Sequence, residues 1–264
     1  MPNLLNRMRN NEGWLTNLSP GVVSQFKIPL ANHLHHKEKR RLFKTLAYIL
    51  RIQICRITAN KMMHILKYGN TNTYFLKGRD GNLLIDTDYA GTMPGFFKAT
   101  KSAGIPIRDI SYVIATHYHP DHMGLVGDLQ RQGIRLVIVD VQQDYVHFSD
   151  GIFARNKHLN YTPVDEKNAV RISCTESRGF LKDIGINGEI IHTPSHSKDS
   201  ISVVLDDGDC FVGDLEPFEY LAAYSSNPDL QRDWDLLMSY DPKHIFYAHV
   251  NDKSVAASED KQDG

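Results

Sequence analysis

Thr116-His117-Tyr118-His119-Pro120-Asp121-His122 joins two segments of different periodicity, and the assignment of the whole chain turns on it. Before it, Tyr112 to Ala115 is a short apolar run of strand type; after it, Gly124 to Arg131 has helical spacing. Side chains two apart in an extended segment point the same way, so His117 and His119 can converge on one ion. Pro120 then turns the chain and offers Asp121 and His122 to a second ion. Four candidate ligands come from one loop at a strand end, where α/β folds place their chemistry. Nitrogen and carboxylate donors without thiolate suit zinc, with iron and manganese as alternatives.

On the N-terminal side of this loop, Thr73 to Lys77 and Asn82 to Asp86 are apolar-rich runs flanking Gly78-Arg79-Asp80-Gly81, which is hairpin chemistry. Helical patterns at Gly95 to Ala103 and Gly124 to Arg131 alternate with strand-like runs at Tyr112 to Ala115 and Arg135 to Val139, the pattern of βαβ units. Further strands are expected at Ala169 to Cys174, Glu189 to His192, Ile201 to Leu205, Cys210 to Val212 and His244 to Ala248. A helix is expected from Pro228 to Tyr240, with Asn227 as its N-cap and Pro228 at its first position. Residues 1–63 read as an amphipathic helical extension, 64–250 as the catalytic domain and 251–264 as a polar tail that frays.

The bulk composition narrows the function classes. Thirty basic against thirty-one acidic residues leave no field that would draw the chain to nucleic acid, so a small molecule is the expected partner. Three scattered cysteines without a CxxC pair indicate neither a disulfide framework nor a thiolate metal site, and point to a reducing, cytoplasmic setting. The apolar stretch Leu42 to Ile54 is short and interrupted by Lys44 and Arg51, so no membrane insertion is expected. His33, His35 and His36 lie beside Lys37, Lys39, Arg40 and Arg41, where a solvated helix face is the simpler account. The extension could cap the active-site mouth, mediate homodimerisation or cover a sheet edge, and the residues leave all three open.

The HxHxDH loop resembles the signature of the metallo-β-lactamase-fold hydrolase superfamily, and the rest of the chain matches that pattern in order. Leu83-Leu84-Ile85-Asp86 resembles the family's strand-end aspartate. His192-Thr193-Pro194-Ser195-His196 resembles its His-Thr-Pro-Gly-His segment, with serine in place of glycine, and Gly213-Asp214 and Tyr247-Ala248-His249 complete the set. The resemblance implies a four-layer αβ/βα sandwich of two mixed sheets with helices outside. It assigns His117, His119 and His196 to one ion, Asp121, His122 and His249 to a second, with Asp214 bridging the two. Asp86 then orients the histidine loop instead of binding metal.

The chemistry implied is a hydroxide bridging two zinc ions, which attacks a carbonyl carbon or phosphorus without a Ser, Cys or Lys nucleophile. Asp121 is a candidate for steering a proton to the leaving group. Within the superfamily, Asp214 separates this chain from the β-lactam-hydrolysing members, and His119 separates it from the flavodiiron proteins, which carry glutamate there. About 200 residues beyond the extension leave no room for the extra domain of the β-CASP nucleases. The remaining likeness is to lactonases and glyoxalase II, which implies cleavage of a lactone, ester or thioester. A phosphodiesterase would need cations near the metals, for which Lys198 is the candidate, and a silent metal-binding protein would be expected to have lost a ligand. Tyr118, Lys198 and Tyr220 are candidate substrate contacts, and Tyr145 to Thr162 and Phe218 to Asn227 are the expected pocket walls.

Overall fold

The computed structural model describes residues 63–221 and 227–254. All the described residues belong to one compact unit. The helical extension, its basic run and its proposed role in homodimerisation lie outside the described residues, as does most of the tail.

The first sheet has the order β1(Met63–Leu66), β2(Thr73–Leu76), β3(Leu83–Ile85), β4(Tyr112–Ile114), β5(Arg135–Val139), β6(Val170–Ile172). Its first two pairings are antiparallel and the rest are parallel. The second sheet runs β11(Lys253–Ser254), β10(His244–Tyr247), β9(Asp209–Gly213), β8(Ile201–Leu205), β7(Gly188–His192), with only β9 and β10 parallel. Helices α1(Met93–Ala103), α2(Pro120–Met123), α3(Val126–Arg131), α4(Asp150–Arg155), α5(Ser177–Asp183) and α6(Pro228–Met238) connect the strands.

Side-chain alternation explains how these elements stack. In the first sheet Phe75, Leu84, Val113, Leu136 and Ile138 point to one face, where they pack with Phe96 of α1 and Leu129 of α3. Their neighbours Tyr74, Leu83, Ile85, Ile114, Val137 and Val139 point to the other face and meet Ile190, Ile201, Val203 and Phe211 of the second sheet. The outer face of that sheet, with Ile191, Val204, Val212 and Ile245, is covered by Leu230, Trp234 and Leu237 of α6. Strands buried on both faces need apolar residues at every buried position, which is why LLI and the LVIV of Leu136 to Val139 read as continuous runs instead of alternating ones. Three apolar interfaces between four layers make the αβ/βα sandwich that the resemblance implied.

Most expected elements are present within a residue or two. Asn227 caps α6, its side chain accepting from the Leu230 amide, with Pro228 in the first turn. Five of the strands and helices named above had no sequence expectation: β1, α2, α4, α5 and β11. The polar stretch expected to begin at residue 251 first forms β11, which pairs with β10.

Candidate metal centre

The site lies where the C-terminal ends of strands from both sheets meet, and backbone hydrogen bonds sew the seam. The Ile201 amide at the start of β8 donates to the Thr116 carbonyl just beyond β4. On the other side the Asn72 amide donates to the Ala248 carbonyl, the Asn72 side chain donates to the carbonyls of Tyr247 and Val250, and Tyr74 Oη donates to Tyr247 as well. These contacts fix the loop after β4 to the start of β8, and the β1–β2 connection to the loop after β10.

Asp86 ends β3 in a left-handed conformation, φ 58°, and is buried. Aspartate tolerates this region better than most residues, and strain of this kind persists where surrounding contacts over-determine it. Here the contacts are the Thr116 amide, which donates to Oδ1 at 2.6 Å, the Thr116 hydroxyl, and Nδ1 of His122 at 3.0 Å from Oδ2. A carboxylate accepts, so His122 carries its proton on Nδ1 and turns Nε2 toward the interior of the site. Asp86 is not among the groups that could hold an ion. Its contact with Nδ1 instead orients His122, one of the candidate ligands.

Asp214 follows the last residue of β9, where Gly213 has φ 58°. A Cβ at Gly213 would come within 2.4 Å of the Thr116 hydroxyl, so both the conformation and the crowding require glycine. The two oxygens of Asp214 face different histidines. Oδ2 lies 3.3, 3.7 and 3.9 Å from Nε2 of His122, His196 and His117, whereas Oδ1 lies 3.3 Å from Nε2 of His249. His249 Nε2 is also 3.2 Å from Asp121 Oδ2, while its Nδ1 donates to the Asn70 carbonyl. His119 Nδ1 and His196 Nε2 approach to 3.2 Å.

Seven side chains thus form three overlapping groups able to hold an ion: His117, His119 and His196; His117, His122 and Asp214; Asp121, His122 and His249. The fit to metal is tested by the buried nitrogens. Nε2 of His117 and Nε2 of His122 are both inaccessible to solvent and make no hydrogen bond. A buried polar atom without a hydrogen bond is costly, and two such imidazole nitrogens beside one carboxylate are donors that a bound cation would satisfy, so the residues fit a metal site.

The electrostatics follow the same layout. Burial and the neighbouring His122 hold His117 well below the usual histidine range, and burial also lowers His196. Burial pulls His122 down too, but Asp86 and Asp214 outweigh it and bring it up to about 10. His249, hydrogen-bonded to Asp121 and Asp214, rises to about 11. Burial works against ionised carboxylates, yet the histidines opposite hold both Asp214 and Asp121 below the ordinary carboxylate range.

The three candidate substrate contacts fare differently. Tyr118 is a correction: alternation within the extended loop sends its ring away from His117 and His119 into the core, where it is 0% exposed. Its backbone stays useful, because the Tyr118 amide donates to Asp199 Oδ2 at 2.7 Å. Lys198 is exposed and offers its carbonyl to Nε2 of His192. Tyr220 is exposed in a short 3-10 turn, Phe218–Tyr220.

Asp199, Gln142 and Asn72 were not anticipated. Asp199 is buried, and besides Tyr118 it accepts from the Ser197 hydroxyl, which ties the His196 loop to the His117 loop. Gln142 Nε2, also buried, donates to the carbonyls of Ala115 and Asp199. Each is a lone polar residue outside the motifs, and only its burial, invisible in sequence, marks it.

The family description "Metallo-beta-lactamase superfamily" matches residues 66–249, and the chain belongs to that superfamily. Among curated proteins it is 24% identical over 187 residues to "Beta-lactamase-like protein 2 homolog" of Drosophila melanogaster, covering 69% of this chain and 59% of that protein. It is 28% identical over 145 residues to an "Atrochrysone carboxyl ACP thioesterase" of Aspergillus fumigatus, covering 54% of this chain and 29% of that one. A "Probable metallo-hydrolase" of Methanocaldococcus jannaschii is 28% identical over 140 residues, with 53% and 65% covered. The chain therefore spans less than two thirds of each of these relatives. Among solved structures, a metallo-beta-lactamase family protein from Thermus thermophilus superposes with TM-score 0.59 at 20% identity, covering 73% of this chain and 75% of that one. That likeness shows the fold. No described helix is long and apolar enough to cross a membrane.

Proposed function

We propose that this protein is a dinuclear metal hydrolase that cleaves the ester-type bond of a small molecule, with a thioester as the favoured substrate. The observation that carries the reading is the placement of Asp214, whose two oxygens face His117, His122 and His196 on one side and His249 on the other. His117, His119 and His196 would hold one ion and Asp121, His122 and His249 the other, with Asp214 shared. A divalent pair bound there supplies Lewis acidity, which polarises a carbonyl oxygen and acidifies water. Zinc suits the donor set, and iron and manganese also accept it.

The chain's own residues supply orientation. Asp86 and the Asn70 carbonyl set the tautomers of His122 and His249, so that both present Nε2 inward. Asp121 is held ionised at neutral pH, which suits a ligand and proton acceptor better than a proton donor. The thioester preference is supported by relatives described as acyl-carrier-protein thioesterases from three Aspergillus species. The test is hydrolysis of lactones, oxygen esters, thioesters and phosphodiesters by zinc-loaded protein. Thioester turnover that is lost on chelation and restored by metal is expected; turnover confined to phosphodiesters would overturn the reading.

A further inference from the structure

Phe148 stands out among the exposed aromatic side chains. It is 55% exposed, yet its ring lies 5.6 Å from that of His119 at a 36° tilt, against one of the candidate ligands. Isolated exposed hydrophobics are common and need no function, as Phe97 illustrates: it is 41% exposed on α1, where its ring contact is with Phe96 of the same helix. Phe148 differs in being held by both neighbours. Ser149 is buried, and its hydroxyl donates at 2.6 Å to the carbonyl of Tyr118, the residue between His117 and His119. His147 is bound at 2.9 Å to Asp150 and at 2.9 Å to Glu166. The backbone that carries the ring is thereby fixed to the ligand loop, while the ring itself faces solvent beside the site.

We propose that Phe148 is the apolar wall of the substrate pocket on the His117, His119 and His196 side, and that it binds an apolar chain or ring attached to the scissile bond. This rests on the hydrolase reading above and adds a substrate class to it: esters or thioesters of medium-chain or aromatic acyl groups, in preference to acetyl or other short polar ones. A polar substrate would gain nothing from a solvent-facing phenyl ring, whereas an apolar chain laid against it is itself removed from water.

The test uses zinc-loaded full-length protein and two readouts. Calorimetric binding of the straight-chain carboxylates from acetate to octanoate reports on the wall without turnover. The kcat/KM ratio of octanoyl to acetyl N-acetylcysteamine thioesters reports on it during catalysis. In wild type, affinity is expected to rise with chain length. In Phe148→Ala the octanoate advantage and the kcat/KM ratio are expected to fall about tenfold, chiefly through KM, and Phe148→Leu to recover most of the loss. Phe97→Ala serves as the exposed-aromatic control and is expected to leave both unchanged. A wild type that binds all the carboxylates alike, or a Phe148→Ala variant with an undiminished chain-length preference, would overturn the proposal. Failure of the hydrolase reading looks different: no thioester is turned over, while chain-length-dependent binding persists and still responds to Phe148.

Discussion

The Asp86 carboxylate receives the Nδ1 proton of His122 at 3.0 Å, and this one contact settles which nitrogen of a buried imidazole faces the candidate metal centre. Asp86 reaches that position only because the chain is left-handed at φ 58° at the end of β3. Removing the carboxylate frees the His122 ring to turn and leaves its Nδ1 buried without an acceptor. Asp86→Ala is expected to weaken metal binding by about 10–100-fold, with Asp86→Asn milder, as measured by competition with a chromophoric chelator. Unaltered affinity in Asp86→Ala would show that His122 needs no such support.

Gly213 precedes Asp214 and has no room for a side chain. Gly213→Ala would combine a φ of 58° with a contact of 2.4 Å to the Thr116 hydroxyl, displacing the residue that also binds Asp86. A loss of about 1–3 kcal/mol in the stability of metal-free protein is expected from denaturant titration, together with reduced metal affinity. Wild-type stability would mean that β9 shifts without cost.

In metal-free protein His122, at about 10, and His249, at about 11, hold their protons at neutral pH, opposite an ionised Asp214. Both values are raised above the ordinary histidine value, so the ion pairs contribute stability below about pH 6.5 and lose it as pH rises through 10 to 11. An imidazole nitrogen must be unprotonated to bind a cation, so metal uptake has to expel these protons. Titrations of metal into apoprotein at pH 7.5, in buffers of different ionisation enthalpy, should therefore show proton release, with affinity climbing as pH rises. Metal affinity that does not vary between pH 6 and 9 would contradict this.

Tyr118 sits inside the histidine motif, but its hydroxyl is buried and unpartnered. Removing an unsatisfied buried hydroxyl is neutral or stabilising. Tyr118→Phe should keep full turnover and equal or higher thermal stability; a large drop in kcat would mean that the phenol acts on substrate.

Sequence made the candidate ligands legible because they sit in short segments at strand ends, where period-two geometry and a proline bring those of the His117 to His122 loop together. His117 and His119 converge as alternation requires, and the same alternation applied to Tyr118 would have sent it to the core. The strands were legible for a related reason: a sheet buried on both faces leaves unbroken apolar runs such as LVIV at Leu136 to Val139. Asp199, Gln142 and Asn72 were not legible, because their roles arise from partners 27 to 178 residues away. Phe148 was legible only as part of the expected wall Tyr145 to Thr162, because its own role depends on Ser149 anchoring its backbone beside His119. Ser177–Asp183, which forms α5, is only seven residues long, too short for a helical period to stand out.

If Asp214 joins two cation sites, the metal content of zinc-reconstituted protein, read by elemental analysis, must depend on it. Close to two ions per chain are expected for wild type and one or fewer for Asp214→Ala, which should keep its secondary structure but lose turnover. Active wild-type protein with no bound metal, or two tightly held ions in Asp214→Ala, would be incompatible with a shared carboxylate at the centre of the site.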